Sequence, residues 1–553
     1  MNSKIKTTFN IVAIISIILF CFSICPVTLQ NDTFYTIKVG EHIVKNGIDM
    51  QDPFSWHEGL AYTYPHWLYD VGIYLIYQAG GMLGIYISTV ILACILGIVI
   101  YLVNCKLSKN QLISFIMTLI VMYLLKNFIA ARAQLVTFIL FALTILCIEK
   151  YLDTKKKRYA IALIIIPILI ANLHCAVWPF YFIIYLPYIV EYIISVISES
   201  NFGKKFQIWN NKRKIKKAIK KQQNDKAEEY IKKIGELEDK IEKANDNRLK
   251  RRREPYRLII ERKDAAKGLI IIFIICIFTG LLTPLHGTPY TYLYDTMQGN
   301  TTKSINEHQP LTLINDKELM VLIVVMLAIL IFTDTKIHLR DLFMLGGLLL
   351  MTFMSQRQMS MFYIIGGFVV TRLIVAICDK YDKEGTKMVI KFIVSLPGKI
   401  LLLGFIAVLS LYFLRQVRND EFINDYSYPV AAADYILENL DVNNIKLYNE
   451  YNYGSYLIFR GIPVFIDSRA DLYAPEFNKK GFENGEGKDI FSDYINISSI
   501  GTYYETKFEQ YGITHLIMYK NAKLNMFISR DENYNEIYSD DRFVIYERLN
   551  TED

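Results

Sequence analysis

Eleven apolar runs partition most of this chain: residues 9–29, 82–104, 110–125, 134–149, 159–173, 178–197, 268–284, 318–333, 341–355, 359–379 and 393–414. A helix needs about 20 apolar residues to cross the hydrocarbon core of a bilayer, and fewer inside a bundle. Lipid offers no partner for backbone N–H and C=O groups, so such runs fold as helices. The stretch 67–80 is too short to add and reads as an interfacial helix. With 53% hydrophobic and 21% charged residues and a mean hydropathy of +0.24, the chain falls outside the soluble globular class. Only 28 glycines and 14 prolines occur, which excludes collagen-like and low-complexity chains. The first run has no clean small-residue cleavage site and more runs follow it, so it reads as an anchor.

The charges between the runs alternate. Lys4 and Lys6 precede run one, Lys106 and Lys109 follow run two, and Lys155–Arg158 follow run four. Residues 201–267 follow run six with 23 Lys/Arg against 11 Asp/Glu, a surplus of 12. Lys336 and Arg340 follow run eight, and Lys380, Lys383 and Lys387 follow run ten. Basic connections face the cytoplasm, which places the N-terminus inside. The outer connections are then 30–81, 126–133, 174–177, 285–317 and 356–358. An odd number of runs places residues 416–553 outside, where 13 Lys/Arg meet 24 Asp/Glu. The expected protein is a polytopic α-helical plasma-membrane protein. Residues 1–415 carry the spans, and 416–553 form an extracytoplasmic α/β domain. Seven of eight histidines fall outside: His42, His57, His66, His174, His286, His308 and His515.

In the basic insert, Ala227, Tyr230, Ile234, Leu237, Ile241 and Ala244 repeat at 3-4-3-4-3 spacing. About two and a half heptads are too few for a free coiled coil, so a helical hairpin near the bilayer is expected. Its cations suit anionic lipid, at about 1 kcal/mol each. No aromatic interleaving supports nucleic-acid binding. The eight cysteines lie in or beside apolar runs, without disulfide or metal-type spacing.

The first outer connection concentrates polar chemistry. Asp32 follows run one directly, Glu41 and His42 come a few turns later, and Asp52 opens Asp-Pro-Phe-Ser-Trp. Carboxylates at a membrane boundary are costly unless solvated, paired or functional. The bland reading of Asp32 is a cap for a helix starting at Thr33. Arg132 and Arg357 stand at outer ends of runs, against the positive-inside trend. Each alone reads as snorkelling to the interface; together, with Lys38 available, they read as a phosphate clamp.

Several stretches share an order with a known group. They are Asp32, Phe34, Tyr35, Gly40, Glu41, Ile43, Gly47, Asp52-Pro-Phe-Ser and Trp67-Leu68; Arg132-Ala-Gln; Asn172-Leu-His174; Ile305-Asn-Glu307-His-Gln-Pro310; Ser355-Gln-Arg357; Asn449–Leu457; and Val464–Arg469. In that order they resemble a bacterial multi-span family placed with the GT-C glycosyltransferases, over most of the chain outside the insert. The departures are Ala133 for Pro, Cys175 for Gly, His308 for Trp, and Ser455 and Ser468 for Gly. The resemblance implies a polyprenyl-phosphate sugar donor, an envelope glycan or protein acceptor, and transfer on the outer face. Asp32 would be the general base or acceptor-orienting group, with Asp52 and Glu41 as further candidates. A sugar hydroxyl is a poor nucleophile and needs such a group, while the departing phosphate needs cations. Arg132, Arg357, Lys38, Asn172, His174, Glu307, Asp467 and Arg469 are the expected substrate-binding residues. No cofactor is assigned, and a divalent metal near Asn172 and His174 is left open.

In 416–553, strands are expected at 445–448, 463–466, 514–519 and 542–547, with helices near 429–437, 453–459 and before Tyr511. Asp467, Arg469 and Asp471 would then lie at a strand end, the usual ligand edge of an open sheet. Two other functions carry weight beside glycosyl transfer: a transporter or flippase of envelope glycans, and a non-catalytic scaffold with the same fold. Few charges inside the runs count against a transporter, whose sites lie near the midplane.

Overall fold

The computed structural model describes residues 3–549 apart from 201, 221–222, 254–256, 300, 302–304, 315, 383, 418–419 and 483–484. Six helices are long and apolar enough to cross a membrane by length and composition: Ser3–Ser23, Trp67–Ser108, Ala133–Thr154, Cys175–Ile197, Gln356–Tyr381 and Leu396–Gln416. The other five expected runs are also helical, over Gln111–Leu124, Lys157–Leu173, Ala266–Ile277, Lys317–Phe332 and Leu339–Met354. At 1.5 Å per residue each is shorter than the roughly 30 Å core. Among the described residues six helices, not eleven, therefore have the length of a complete span, and the fold is that of a helical membrane protein. The expected interfacial helix at 67–80 joins the span after it, and the backbone leaves helical geometry at Gly81 (φ 59, ψ −150).

The basic insert is a hairpin of Phe202–Lys220 and Asn224–Arg253. Lys204 Nζ reaches the Lys240 carbonyl at 3.3 Å, so the helices run antiparallel. Ala227 and Ile234 of the expected seam are buried, and Tyr230, Leu237 and Ile241 are partly so. The side chain of Ala244 lies outside the described residues. On the first helix Ile208, Ile215 and Ala218 turn from solvent, while Phe206 and Trp209 stack outward at 5.6 Å. Two short parallel strands, β1 (Leu258–Ile259) and β2 (Ile337–His338), tie two basic connections together.

The C-terminal region holds β3 (Leu447–Tyr448), β4 (His515–Tyr519), β5 (Tyr534–Ser539) and β6 (Phe543–Arg548), in the order β3-β4-β6-β5. β3 and β4 are parallel, and the other pairs are antiparallel. The expected strand at 463–466 is not in this sheet. Val464 instead bridges Ser55 of the first loop in parallel, and Trp56 N donates to the Val464 carbonyl at 3.3 Å. The extended backbone was readable from the residues, but its partner lies some 400 residues away. β5 carries no clear strand pattern in the sequence, because three of its six residues are exposed and Ile537 is its one aliphatic residue.

The loop and the C-terminal region also share their apolar cores. Phe34 and Ile37 pack with Tyr428, Tyr456 and Ile545, and Tyr35 and Tyr62 pack with Phe465 and Tyr473. Glycine is required at position 40, where a Cβ would lie 2.1 Å from the Asp70 carbonyl oxygen. This close crossing of helices Asn31–Asn46 and Trp67–Ser108 places Tyr35 beside the start of the second helix.

Candidate functional site

Helix Asn31–Asn46 begins two residues before Thr33, and its N-cap position is Gln30, without a side-chain cap. Asp32 is thus in the first turn, where a negative charge suits the helix dipole. Its carboxylate receives Arg132 Nη2, which arrives from the start of helix Ala133–Thr154. Arg132 Nη1 also faces Glu307 at 3.6 Å. Arg132, Glu307 and Arg357 line one cavity of about 200 Å³ with Gln30, Gln134 and Gln356. Arg357 Nη1 approaches His308 Nε2 at 3.5 Å. Burial and the Arg357 charge push the His308 imidazole down to about 4. The cavity lining therefore combines two guanidiniums with the Glu307 carboxylate, and Asp32 and the His308 imidazole partner those guanidiniums.

Other expected site residues go elsewhere. Glu41 is nine positions from Asp32, about half a turn out of phase on the same helix. It pairs with Lys38 and Lys45, each at 2.6 Å. Lys38 is thereby engaged with Glu41 and does not line the cavity of Arg132 and Arg357. The Asn172 amide accepts from Trp67 Nε1 at 3.2 Å and donates to the Ile168 and Leu282 carbonyls at 2.8 and 2.9 Å. It fastens helix ends. His174 is buried, with Thr137 Oγ1 2.9 Å from its Nδ1. Burial and the charges of His66, Arg357 and Arg132 hold its imidazole well below the ordinary range, hence neutral.

Asp52, Asp467 and Arg469 come together as a locked triad. Arg469 gives Nε and Nη2 to Asp467 at 2.9 and 2.8 Å, and Nη1 to Asp52 at 2.7 Å. Its guanidinium lies over Tyr62 at 4.8 Å and Phe54 at 5.2 Å. Ser55 N–H and O–H donate to Asp52 at 3.0 and 2.5 Å, and Tyr473 O–H donates to Asp467. The triad side chains are at most 2% exposed. Burial alone would raise the Asp52 carboxyl; Arg469 and the Ser55 donors more than reverse it. The sheet-edge expectation for Asp467 and Arg469 fails here, because 463–466 pairs with the loop and their charges are spent on Asp52.

Three further groups stand out, of which Asp471 was expected at a strand end beside Asp467 and Arg469. Asp471 accepts from Tyr292 O–H at 2.6 Å; burial raises its carboxyl, with Tyr292 and Arg357 opposing. His66 Nδ1 lies 2.6 Å from Asp70 Oδ1, and its Nε2 lies 3.2 Å from Tyr35 Oη. The i, i+4 spacing of His66 and Asp70 was the readable signal. At the opposite ends of the helices, Glu149 accepts from Arg372 at 2.6 Å, Asp341 from Arg372 at 2.6 Å, and Glu191 from Arg340 at 2.9 Å. These groups floor a second cavity of about 770 Å³, although Glu191 lies behind it. Charges inside apolar helices were the signal for this network.

Among the described residues, no three His, Cys, Asp or Glu side chains converge as a metal ligand set. Compared with known proteins, the chain matches no protein-family model and no curated protein.

Proposed function

We propose that this chain is a GT-C-like membrane glycosyltransferase that moves a sugar from a polyprenyl-phosphate donor to an envelope acceptor on the outer face. The orientation adopted is the cytoplasmic N-terminus of the charge pattern, with 416–553 outside. The observation that carries the reading is that Arg132 and Arg357 line one cavity, with Asp32 paired to Arg132. Two guanidiniums in a semi-enclosed site suit the charge left on phosphate when its bond to the sugar breaks. Arg132 is shared with Asp32 in the resting state. A donor phosphate competing for that guanidinium would free the carboxylate to orient the acceptor hydroxyl or accept its proton. The basic hairpin, with Phe206 and Trp209 outward, would rest on anionic lipid.

The test is transfer by the purified chain in nanodiscs, with a panel of polyprenyl-phosphate sugars. Arg132→Gln and Arg357→Gln should weaken donor binding, whereas Asp32→Asn should lower turnover. Absence of transfer with every donor, in protein that still binds polyprenyl phosphate, would favour the scaffold reading.

A transporter or flippase is the second reading, and the 770 Å³ cavity floored by Glu149, Arg340, Asp341 and Arg372 favours it. The expected scarcity of charges within the helices does not hold there. Movement of labelled lipid-linked sugar across proteoliposomes, lost in Arg372→Gln, would support transport over transfer.

A further inference from the structure

We infer that His66, reached through the Tyr35 hydroxyl and held by Asp70, is the proton acceptor of the outer site. This rests on the glycosyl-transfer reading and assigns Asp32 to orienting the acceptor. Asp32 and Tyr35 are three residues apart on helix Asn31–Asn46 and share a face. Asp32 Oδ2 is occupied by Arg132. Tyr35, in contrast, has its hydroxyl 3.2 Å from His66 Nε2, while His66 Nδ1 sits 2.6 Å from Asp70. Asp70 is fully buried, and its Oδ2 has no hydrogen-bond partner among the described residues. A buried carboxylate against one imidazole nitrogen fixes the tautomer, presents the other nitrogen as acceptor, and stabilises the imidazolium that forms.

Three imidazoles lie near the arginines, and they are not equivalent. His174 has Thr137 rather than a carboxylate on Nδ1, and its ring is 6.3 Å from that of His66. His308 faces Arg357. His66 alone of the three is hydrogen-bonded to a buried carboxylate. The charged and titratable groups around the pair are Asp32 and Tyr35 from the first-loop helix, Tyr62, Tyr69 next to Asp70, His174, and Arg469 from the C-terminal region, beside Arg132. Arg469 is already neutralised by Asp52 and Asp467, leaving Asp70 to compensate His66.

In the step assigned, the acceptor oxygen attacks the anomeric carbon. The bond from that carbon to the phosphate oxygen breaks, and its electron pair stays on phosphate. The acceptor proton passes to the Tyr35 oxygen as the Tyr35 proton passes to His66 Nε2. His66 later releases the proton to water, and the sum is glycoside, polyprenyl phosphate and one proton.

The experiment is the pH dependence of transfer by the full chain in nanodiscs, with site-resolved carbethoxylation of the histidines. Wild type should lose kcat/KM on an acid limb as His66 protonates. His66→Gln and Tyr35→Phe should lower turnover about 10²-fold or more and abolish that limb. Asp70→Asn should move both the limb and the labelling midpoint of His66 to lower pH, by about one unit or more. His174→Gln should keep the limb. A His66→Gln enzyme that retains the wild-type limb would overturn the inference and leave glycosyl transfer standing. If no donor supports transfer, the parent reading fails, and a labelling midpoint insensitive to Asp70→Asn would separately refute the His66–Asp70 pairing. Should Asp70→Asn fail to fold, His66→Gln and Tyr35→Phe decide.

Discussion

Two carboxylate–guanidinium contacts in this protein look alike on paper and differ in surroundings. Asp32–Arg132 is at the edge of a cavity, with side chains 20% and 29% exposed. Asp52–Arg469–Asp467 is sealed between the first loop and the C-terminal region, at most 2% exposed. In the first, water can solvate either partner when the pair parts, at small cost. In the second, removing one partner strands charge in a medium that cannot solvate it. The same residue types thus serve an exchangeable site in one place and a fastening in the other. Burial, not residue identity, separates them.

The largest expected effect falls on the fastening. Arg469→Met should destabilise the chain by about 3–5 kcal/mol, because two carboxylates lose their cation. Thermal unfolding in detergent and protease sensitivity of the first loop would measure it. A near-silent Arg469→Met would break the comparison.

The exchangeable pair should answer in rate. Asp32→Asn should reduce turnover about 10²–10⁴-fold if the carboxylate handles the acceptor proton, and less if it only orients the hydroxyl. Stability should change little, since Asp32 does not cap its helix. Under the proposed transfer, a stable and fully active Asp32→Asn variant would remove Asp32 from the chemistry.

Glu450 sharpens the contrast, being a largely buried carboxylate with no guanidinium partner among the described residues. Burial pushes it up to about 7, although the Tyr519 N–H donates to it at 3.0 Å. The folded chain therefore holds this proton more tightly than the unfolded one. The associated stability is present below the ordinary glutamate value and is lost as pH rises through about 7. Glu450→Gln should flatten that loss and gain about 3 kcal/mol at most at high pH. Unfolding followed from pH 5 to 9 would check it; an unchanged slope would refute the assignment.

The smallest effect belongs to a solvated pair. Lys45→Ala breaks a 2.6 Å contact with Glu41, but Lys45 is 61% exposed. Its removal should leave the unfolding transition almost unmoved. A larger measured loss would mean that burial is not what ranks these contacts.

Local pattern determined a good deal of this protein. All eleven apolar runs are helical, and the hairpin seam at Ala227 and Ile234 is buried as its spacing requires. Helical register repeats every few residues, so neighbouring side chains report it. The break at Gly81 was partly visible as a double glycine. Arg132 and Arg357 were readable because they stand at ends of apolar runs where the expected topology disfavours cations, and the tertiary structure puts both on one cavity.

What local pattern could not decide is which distant partner each polar group meets. Arg469 meets Asp52 across 417 positions, and Arg372 meets Glu149 across 223. Val464 has the extended backbone its residues favour, yet it pairs with Ser55 and not with the sheet. His66 acquires Tyr35 only because Gly40 lets two helices cross closely. Periodicity fixes which face of an element is apolar. Pairing across the fold is settled by how those faces pack, because a buried charge takes whichever opposite charge the packing brings within reach.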